Sequence, residues 1–429
     1  MIGVGLGLSA LGRRAWTPKQ LGAAWTWDPA LVTTTGALIN TATDAGGSGL
    51  VLSSPATRET SLVTDGPFTG KGAIRTSNTT SSLRAVTGGV TGAQPFHMVT
   101  IAEVMAPGDT PGSTFAMYGI QNDANNFGMG AFTSSYFCAI GNGTSGTYLL
   151  PSGTATFDAY PHIFELRYDG TNLSGYFDGK LLLGPTPKTF ALSFAGLTIG
   201  TWFSSKITQD ARIHSLTFGS NKNFSQATVG RFLKYELKRL GGTGRVVALF
   251  GDSTTQGSAS GAEPLDKSIR AVMSAPNIMF PANYGVSGER ADQILTRLQA
   301  FNASATHVFI WCGRNGPTVT TAPADAALTY GYITSMVQQA HLFGLKAVVG
   351  TLDQWGACVG SPYSEAYRTG INTLVKANSA GADAIADIDL AVGPYNAANY
   401  CVDTLHPNVS MLRTYVAPTA NAALAASGL

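Results

Sequence analysis

A serine stands directly after a short apolar run near the middle of the chain. Residues 246–250 are Val-Val-Ala-Leu-Phe, and Gly251, Asp252 and Ser253 follow at once. A buried strand that ends in this way places the serine at the carboxyl edge of a sheet, where open α/β folds bind their ligands. A serine hydroxyl is a weak nucleophile unless a base and donors for an oxyanion converge on it. The remaining chain must therefore bring such groups to this edge.

Three further segments are predicted to meet Ser253 there. Residues 283–290 follow the second predicted strand, residues 312–316 follow the third, and residues 403–408 lie near the C-terminus. A tetrahedral oxyanion needs preorganised donors, each worth ~3–4 kcal/mol of barrier. A glycine allows the backbone to approach closely, and an amide side chain donates without bringing charge. Residues of these types in the three segments therefore indicate acyl-transfer chemistry.

The four segments, in this order, resemble the blocks of the SGNH hydrolases, the GDSL-type esterase and lipase superfamily. The resemblance covers residues 244–429. It implies that Ser253 is the nucleophile, that His406 is its general base, and that Asp403 orients the imidazole. It also implies an oxyanion hole made by the backbone N–H groups of Ser253 and Gly288 and by the Asn315 side chain. No metal or cofactor is implied.

Two positions depart from the pattern of that family. Thr254 stands where the family name has leucine, a variable position, and Gly316 stands where an aspartate commonly follows the block-three asparagine. That aspartate usually has a structural role. Its absence therefore bears on the geometry of the loop more than on activity.

Arg314 and Trp355 are the candidate substrate-binding residues. Arg314 lies in the loop before Asn315 and could bind a substrate carboxylate, such as that of a uronic or sialic acid, through two guanidinium nitrogens. A surface ion pair with a nearby acid is an equal alternative for this arginine. Trp355 follows the fourth predicted strand and could stack on a sugar ring, although core packing is the commoner use of tryptophan.

Strands and helices alternate from residue 245 onward. The predicted strands are 245–250, 277–284, 307–312, 345–350 and 383–388, and the predicted helices are 289–300, 323–343, 362–379 and 408–426. This alternation favours an α/β/α three-layer sandwich with a five-stranded parallel sheet, which the family resemblance makes flavodoxin-like. A linker helix within residues 224–243 precedes it, with Ser225 as N-cap, an end at Gly241-Gly242, and an apolar stripe through Val229, Leu233, Leu237 and Leu240.

The N-terminal half predicts an all-β domain over residues 25–223. Acid–glycine pairs at Asp169-Gly170 and Asp178-Gly179 separate alternating runs and are strong hairpin signals. Many short strands at this spacing favour a sandwich, and the pattern resembles the concanavalin-like, laminin-G-like jelly rolls. Such domains often bind glycans, but many only pack or assemble. Residues 1–24 are interpreted as a packing or assembly segment, because their arginines follow the apolar stretch, the reverse of the order in a secretory signal, which stays open as the alternative.

Composition narrows the function classes. Hydrophobic residues make up 44% of the chain, charged residues 12%, and the net charge is +2. Without a basic stripe, a nucleic-acid partner is not expected, and no run reaches the eighteen or so apolar residues of a membrane span. Four cysteines are too few for a disulfide scaffold, and no CxxC pair suggests zinc. A bridge between Cys358 and Cys401, both in loops near the predicted site, stays open beside free thiols.

The interpretation we favour is a serine esterase that removes O-acetyl groups from a bacterial surface polysaccharide through an acyl-serine intermediate. The β domain would then be a lectin-like accessory domain. The glycine-rich start and residues 25–31 resemble proteins of phage tails and prophages, which implies an extracellular or virion-associated location, virion partners, and leaves a homo-oligomer open. The alternatives are a lipid esterase or thioesterase, and a non-enzymatic tail or adhesion protein with a relict site.

Overall fold

The computed structural model describes most of the C-terminal half and the regular elements of the N-terminal half. The described residues are 25–26, 28–43, 45, 51–53, 60–65, 67–68, 70–76, 82–85, 95–105, 116–118, 127–132, 135–140, 147–149, 160–187, 197–200, 210–220, 224–241, 244–274, 277–301, 304–316 and 321–428. The predicted segment 1–24 lies outside the described residues, as do residues 242–243 at the predicted end of the linker helix.

The N-terminal part is built of antiparallel strands. They are β1 Trp25–Thr26, β2 Val32–Thr35, β3 Leu38–Thr43, β4 Val51–Ser53, β5 Ser61–Val63, β6 Ala73–Thr76, β7 Ser82–Ala85, β8 Phe96–Val104, β9 Ala116–Tyr118, β10 Phe127–Phe132, β11 Ser135–Ile140, β12 Thr147–Leu149, β13 Pro161–Tyr168, β14 Asn172–Phe177, β15 Lys180–Pro187, β16 Leu197–Gly200 and β17 Ala211–Ser220. Every pairing between these described strands is antiparallel. The predicted β-rich part is confirmed, and its jelly-roll topology stays a prediction.

Strand β8 lies at the centre of this part, between β13 and β17. All of its residues are buried. Side chains alternate across a strand, so Phe96 and Met98 join one apolar core while Val99 and Ile101 join another on the opposite face. A strand with two buried faces needs a cover on each, and the second cover is a helix.

Helix α1, Gln226–Arg239, is that cover. It begins as predicted after Ser225, whose hydroxyl accepts a hydrogen bond from the Thr228 N–H at 3.3 Å. Its predicted apolar stripe is buried against two sets of residues, Val99, Ile101 and Ile163 from the β-rich part and Val246, Ile278 and Phe280 from the C-terminal part. Burying a large apolar side chain is worth ~1.5–3 kcal/mol. The helix therefore stabilises both parts through one shared core.

The predicted hairpin at Asp178-Gly179 is confirmed and contacts the C-terminal part. Phe177 pairs with Lys180, and the two residues between them have φ values of 49° and 83°. A hairpin turn in which both central residues have left-handed backbone conformations is a type I′ turn. A Cβ on Gly179 would lie 2.2 Å from the carbonyl oxygen of Ser304, so only glycine allows this approach. The turn thus fixes the β-rich part against the second part of the chain.

The C-terminal part contains five parallel strands and helices on both faces. The strands are β18 Arg245–Gly251, β19 Met279–Gly285, β20 His307–Trp311, β21 Lys346–Gly350 and β22 Ala384–Ala386. The helices are α2 Ser253–Gln256, α3 Leu265–Val272, α4 Ala291–Gln299, α5 Ala322–Leu342, α6 Gly356–Gly360, α7 Pro362–Ala377, α8 Ile388–Val392, α9 Val409–Met411 and α10 Ala417–Ala426, with a π-helical turn Leu412–Val416 before α10. No described helix is both long and apolar enough to cross a membrane.

The strand order in space is β19-β18-β20-β21-β22, and all four pairings are parallel. Helix α5 contacts both α4 and α7, α10 contacts both α3 and α8, and each of these two groups contacts the sheet. The predicted five-stranded parallel sheet with flanking helices is confirmed. In such a sheet the chain order reverses beside the first strand, and ligands bind outside its carboxyl end. That position is the end of β18.

Candidate active site

Ser253 lies at that strand end, as the first residue of α2. The turn into α2 is tight, since a Cβ on Gly251 would lie 2.1 Å from Thr255 Oγ1 and 2.4 Å from the Trp311 carbonyl oxygen. Asp252 caps the helix, and its carboxylate accepts hydrogen bonds from the Thr254 N–H and hydroxyl at 3.0 and 2.8 Å. Asp252 is therefore a turn-forming residue. Complete burial raises its pKa, against the hydrogen bonds from Thr254 and the charge of Arg314.

Ser253, His406 and Asp403 form one hydrogen-bonded chain. The Ser253 hydroxyl lies 2.8 Å from His406 Nε2, and His406 Nδ1 lies 2.6 Å from Asp403 Oδ2. Because Nδ1 faces a carboxylate, it carries the proton, and Nε2 is then free to accept the serine proton. The imidazole is largely buried, whereas the Asp403 side chain is 42% exposed. This arrangement can deprotonate a serine as it attacks an acyl carbon.

Asp403 and His406 share one short loop whose backbone is held at several points. The Cys401 N–H donates to the His406 carbonyl at 2.8 Å, and Tyr400 pairs with Pro407. Thr404, between Asp403 and His406, has a φ of 58°, and its carbonyl accepts a hydrogen bond from the Gly356 N–H at 2.9 Å. A left-handed conformation at a β-branched residue is strained and needs such support. The loop therefore presents Asp403 and His406 as one fixed pair.

Asp403 is held in its charged form. Its partial burial acts to raise the pKa, but the backbone N–H groups of His406 and Leu405 and the imidazole together outweigh this, and the pKa lies below the usual aspartate value. The two N–H groups donate to Oδ1, both at 3.0 Å, which leaves Oδ2 for the histidine. An ionised carboxylate in this place stabilises the imidazolium that forms when Ser253 loses its proton.

The predicted oxyanion donors come from adjacent segments. The Ser253 N–H is the first of α2 and has no partner within the helix. Gly288 is exposed with a φ of 79°, nothing within 4 Å of a Cβ built on it, and no acceptor for its N–H among the described residues. Asn315 Nδ2 lies 3.1 Å from the carbonyl oxygen of Glu289, the residue that follows Gly288. The structure thus brings Gly288 and Asn315 side by side.

Residues 285–289 are tied to α2 and α4. The Ser287 N–H donates to Gln256 Oε1 at 2.7 Å, and the Val286 N–H donates to the Gly251 carbonyl at 3.1 Å. From α4, Arg297 donates to both carboxylate oxygens of Glu289. Arg297 has no motif around it in the sequence, so sequence analysis missed its part in holding this turn. Because these contacts hold the turn, the Gly288 N–H is a preorganised donor that needs no rearrangement during a reaction.

The proposal that Arg314 binds a substrate carboxylate is wrong: Arg314 forms an ion pair, and that pair is buried and not at the surface as the alternative predicted. Its side chain is 3% exposed and forms a salt bridge with Asp353. A second guanidinium nitrogen donates to the Leu405 carbonyl at 2.6 Å, and the Tyr400 hydroxyl donates to the other Asp353 oxygen at 2.6 Å. The guanidinium therefore supports the loop that carries His406. Asp353 was not predicted, although its place just after strand β21 could have indicated it.

Trp355 is a core residue and not an exposed stacking platform. It is 5% exposed, and the Arg314 guanidinium lies 5.1 Å from its ring centre. This contact is a cation–π interaction that helps to bury the arginine charge. The sugar-stacking role predicted for Trp355 is therefore corrected to packing in the core against Arg314.

The structure explains the glycine at position 316. A Cβ there would lie 2.1 Å from the Tyr367 hydroxyl, which donates to the Gly313 carbonyl at 2.9 Å. Tyr367 thus occupies the space that an aspartate side chain would need, and it fixes the loop by a direct hydrogen bond. The hypothesis of a Cys358–Cys401 bridge is wrong, because both are buried free thiols, as is Cys312.

No protein-family model and no curated protein matches this chain. Among solved structures, it is similar to a member of the lipolytic protein G-D-S-L family from Veillonella parvula, at 18% identity over 41% of this chain and 94% of the other, with a TM-score of 0.32. It is also similar to the protein YxiM from Bacillus subtilis, at 11% identity over 82% and 83% of the chains, with a TM-score of 0.35. A GDSL-like lipase from Bacteroides thetaiotaomicron matches at 17% identity over 46% and 98%, with a TM-score of 0.31. The roles of individual residues therefore rest on the geometry above.

Proposed function

We propose that the protein is a serine esterase of the SGNH type. The observation that carries this proposal is the hydrogen-bonded chain from the Ser253 hydroxyl through His406 to Asp403. A serine, a base and an orienting acid at the switch point of a parallel sheet are the groups that nucleophilic acyl transfer requires. A strand end places Ser253, and a loop held at several points carries His406 and Asp403. Two backbone N–H groups orient the Asp403 carboxylate.

The reaction proceeds in two halves. Ser253 Oγ attacks the ester carbonyl while His406 Nε2 takes its proton, and the carbonyl oxygen receives hydrogen bonds from the Ser253 and Gly288 N–H groups and the Asn315 amide. His406 then protonates the leaving alcohol, and the acyl group stays on Ser253. Water deprotonated by the same histidine attacks the acyl-serine, which releases the acid and restores the hydroxyl.

The substrate we favour is an O-acetylated polysaccharide of a bacterial surface. A β-rich part rests against the hydrolase part through α1 and the Asp178-Gly179 turn, so a long polymer could contact both parts. A lectin-like role for that part, an extracellular or virion-associated setting and partners from a phage tail belong to the same proposal. In such a substrate the acyl group is short, and the alcohol that carries it is large and polar.

A second candidate is a lipid esterase. Val402, next to Asp403, is fully exposed, and Val359 of α6 is also exposed near the same loop, since Gly356 of α6 contacts Thr404. Exposed apolar side chains beside a catalytic centre are where an acyl chain would bind. Acyl-chain length therefore separates the two candidates.

The test measures kcat/KM on para-nitrophenyl acetate, butyrate and octanoate. Wild type is compared with Ser253→Ala and with Ser335→Ala, which removes an exposed hydroxyl on α5. We expect activity that is highest on acetate, lost in Ser253→Ala and kept in Ser335→Ala. A preference for octanoate would favour the lipid esterase. Activity that survives Ser253→Ala, or none on any ester, would refute the esterase proposal.

A further inference from the structure

A cavity of about 230 Å³ lies between the two parts of the chain, and we call it the interdomain pocket. It is lined from the β-rich part by Phe177, Asp178, Lys180 and Leu182, and from the hydrolase part by Gln256, Pro264, Asp266, Lys267, Arg270 and residues 281–283 and 285. The volume is below the ~300–1,000 Å³ of sites for drug-sized ligands, and it suits one small polar unit.

The interdomain pocket lies beside the candidate active site. Gln256 forms part of its wall and is the last residue of α2, the helix that begins at Ser253. At about 1.5 Å of rise per residue, the two residues are about 4.5 Å apart along the helix axis. The Gln256 side chain also accepts the Ser287 N–H, next to Gly288. A chain-like substrate attacked by Ser253 would therefore reach the pocket with a neighbouring unit.

The charged residues that line the interdomain pocket are three cations and two anions, an excess of one positive charge. Arg270 is paired with Asp266 at 2.5 Å and lies 3.7 Å from Asp178. Both acids of the lining are thus next to one buried guanidinium. Lys180 and Lys267 have no carboxylate within ion-pair distance among the described residues. The lining, with three cations and two anions, therefore favours an anion.

Lys180 is the more constrained of the two lysines. It follows the type I′ turn, and its Nζ donates to the carbonyl of Asn283 on the edge strand β19 and lies 5.4 Å from the Tyr284 ring centre. One backbone carbonyl and one ring leave the ammonium with unused donors. Burial lowers the pKa of Lys180, although Asp266 acts in the opposite direction. An ammonium that is half-buried without a full set of partners is placed to receive a carboxylate.

We propose that the interdomain pocket binds the carboxylate of a uronic acid unit next to the acylated unit of the substrate, through Lys180 and Lys267. The pocket is a composite site, because Lys180 comes from the β-rich part and Lys267 from α3 of the hydrolase part. The substrate class, an acidic O-acetylated glycan, rests on the esterase proposed above. Carboxylate binding itself does not depend on it.

Binding is tested in a Ser253→Ala background by calorimetry at low salt. The probes are tetragalacturonate, neutral maltotetraose, and free galacturonate and acetate. We expect tetragalacturonate to bind, maltotetraose to bind at least tenfold more weakly, and the affinity for tetragalacturonate to fall about tenfold in Lys180→Met or Lys267→Met. Lys234→Met removes an exposed charge from α1 and is the matched control, expected to bind as the parent does. Added salt weakens binding.

Two results would overturn the inference. One is equal affinity for maltotetraose and tetragalacturonate, and the other is Lys180→Met and Lys267→Met binding no more weakly than Lys234→Met. Acetate binding as tightly as tetragalacturonate would refute a glycan subsite, because the pocket would then hold any small anion. Thermal unfolding of each variant shows that it is folded. Since Ser253→Ala cannot form an acyl-serine, the outcome is independent of esterase activity.

Kinetics supply a second arm. The ratio of kcat/KM on acetylated polygalacturonate to kcat/KM on para-nitrophenyl acetate is expected to fall about tenfold in Lys180→Met and to stay constant in Lys234→Met. An unchanged ratio in Lys180→Met refutes the subsite. If the wild-type protein hydrolyses neither acetylated polygalacturonate nor para-nitrophenyl acetate, the proposed function is refuted instead.

Discussion

Asp403→Asn isolates the control of the histidine proton. In the wild type, Asp403 Oδ1 accepts the Leu405 and His406 N–H groups, and Oδ2 accepts His406 Nδ1. An asparagine must keep its oxygen toward the two backbone donors, so its NH₂ group faces Nδ1. Nδ1 then becomes an acceptor, and the proton moves to Nε2, where it meets the Ser253 hydroxyl. The base is lost while the loop keeps its hydrogen bonds.

The expected loss follows from that tautomer. A wrongly protonated histidine costs about 10⁴ in kcat in a buried triad, and the exposure of Asp403 lets water relieve part of this. We therefore expect kcat on para-nitrophenyl acetate to fall about 10³-fold to 10⁴-fold, or about 4–5 kcal/mol of barrier. Asp383→Asn is the matched control, because Asp383 also contacts a histidine, His341 Nε2 at 2.9 Å, away from the site. That variant is expected to keep its activity.

A loss of less than tenfold in Asp403→Asn, with an unchanged thermal unfolding temperature, would refute the tautomer argument. An equal loss in Asp383→Asn would show that the effect is on the fold and not on the site. A fall in KM together with kcat would point instead to the removal of strain from the bound substrate.

Three further predictions concern the scaffold. Gly251→Ala places a Cβ 2.1 Å from Thr255 Oγ1 and should displace Ser253 enough to lower kcat/KM by about 10²-fold. Gly360→Ala is the control, because a Cβ at Gly360 meets open space, and it should leave kcat/KM unchanged. Equal kcat/KM values for the two variants would contradict this prediction. Leu237→Ala should lower the free energy of unfolding in urea by about 2–5 kcal/mol, against less than about 0.5 kcal/mol for exposed Leu342→Ala. Burial lowers the pKa of His307 in the folded protein to about 4. As the pH drops from about 6.5 to 4, the unfolded chain therefore binds a proton at His307 that the folded protein does not bind, and the free energy of unfolding falls. The part due to His307, about 3 kcal/mol, should disappear in His307→Gln, and identical pH profiles for the two proteins would contradict it.

The strand ends could be predicted because each has a local signal. The apolar run before Ser253 and the hairpin pair Asp178-Gly179 both encode their geometry within a few residues, and the structure places both as expected. The same holds for α1, whose cap and stripe are readable in sequence. The structure also brings Ser253, Asp403 and His406 into hydrogen-bond distance, while their catalytic roles stay a prediction.

Long-range partners could not be predicted. Arg314 follows a strand end just as Ser253 does, but its burial depends on Asp353 and on the Leu405 carbonyl, which lie 39 and 91 residues away. The predicted helix 408–426 is observed as α9, a π-helical turn and α10. The short helices α2, α3, α6 and α8 have too few turns for an apolar period to show. Contacts between the two parts, such as Lys180 with Asn283, leave no trace in either local pattern.

Helix α1 limits how this protein can be divided or recombined. A C-terminal part released without it would expose Val246, Ile278 and Phe280 to water, and a β-rich part released without it would expose Val99 and Ile101. Apolar surfaces of that kind promote aggregation. The two parts are therefore not independent modules on a string, and exchange of either one for a foreign domain would have to carry the helix, or a face that matches it, along with it.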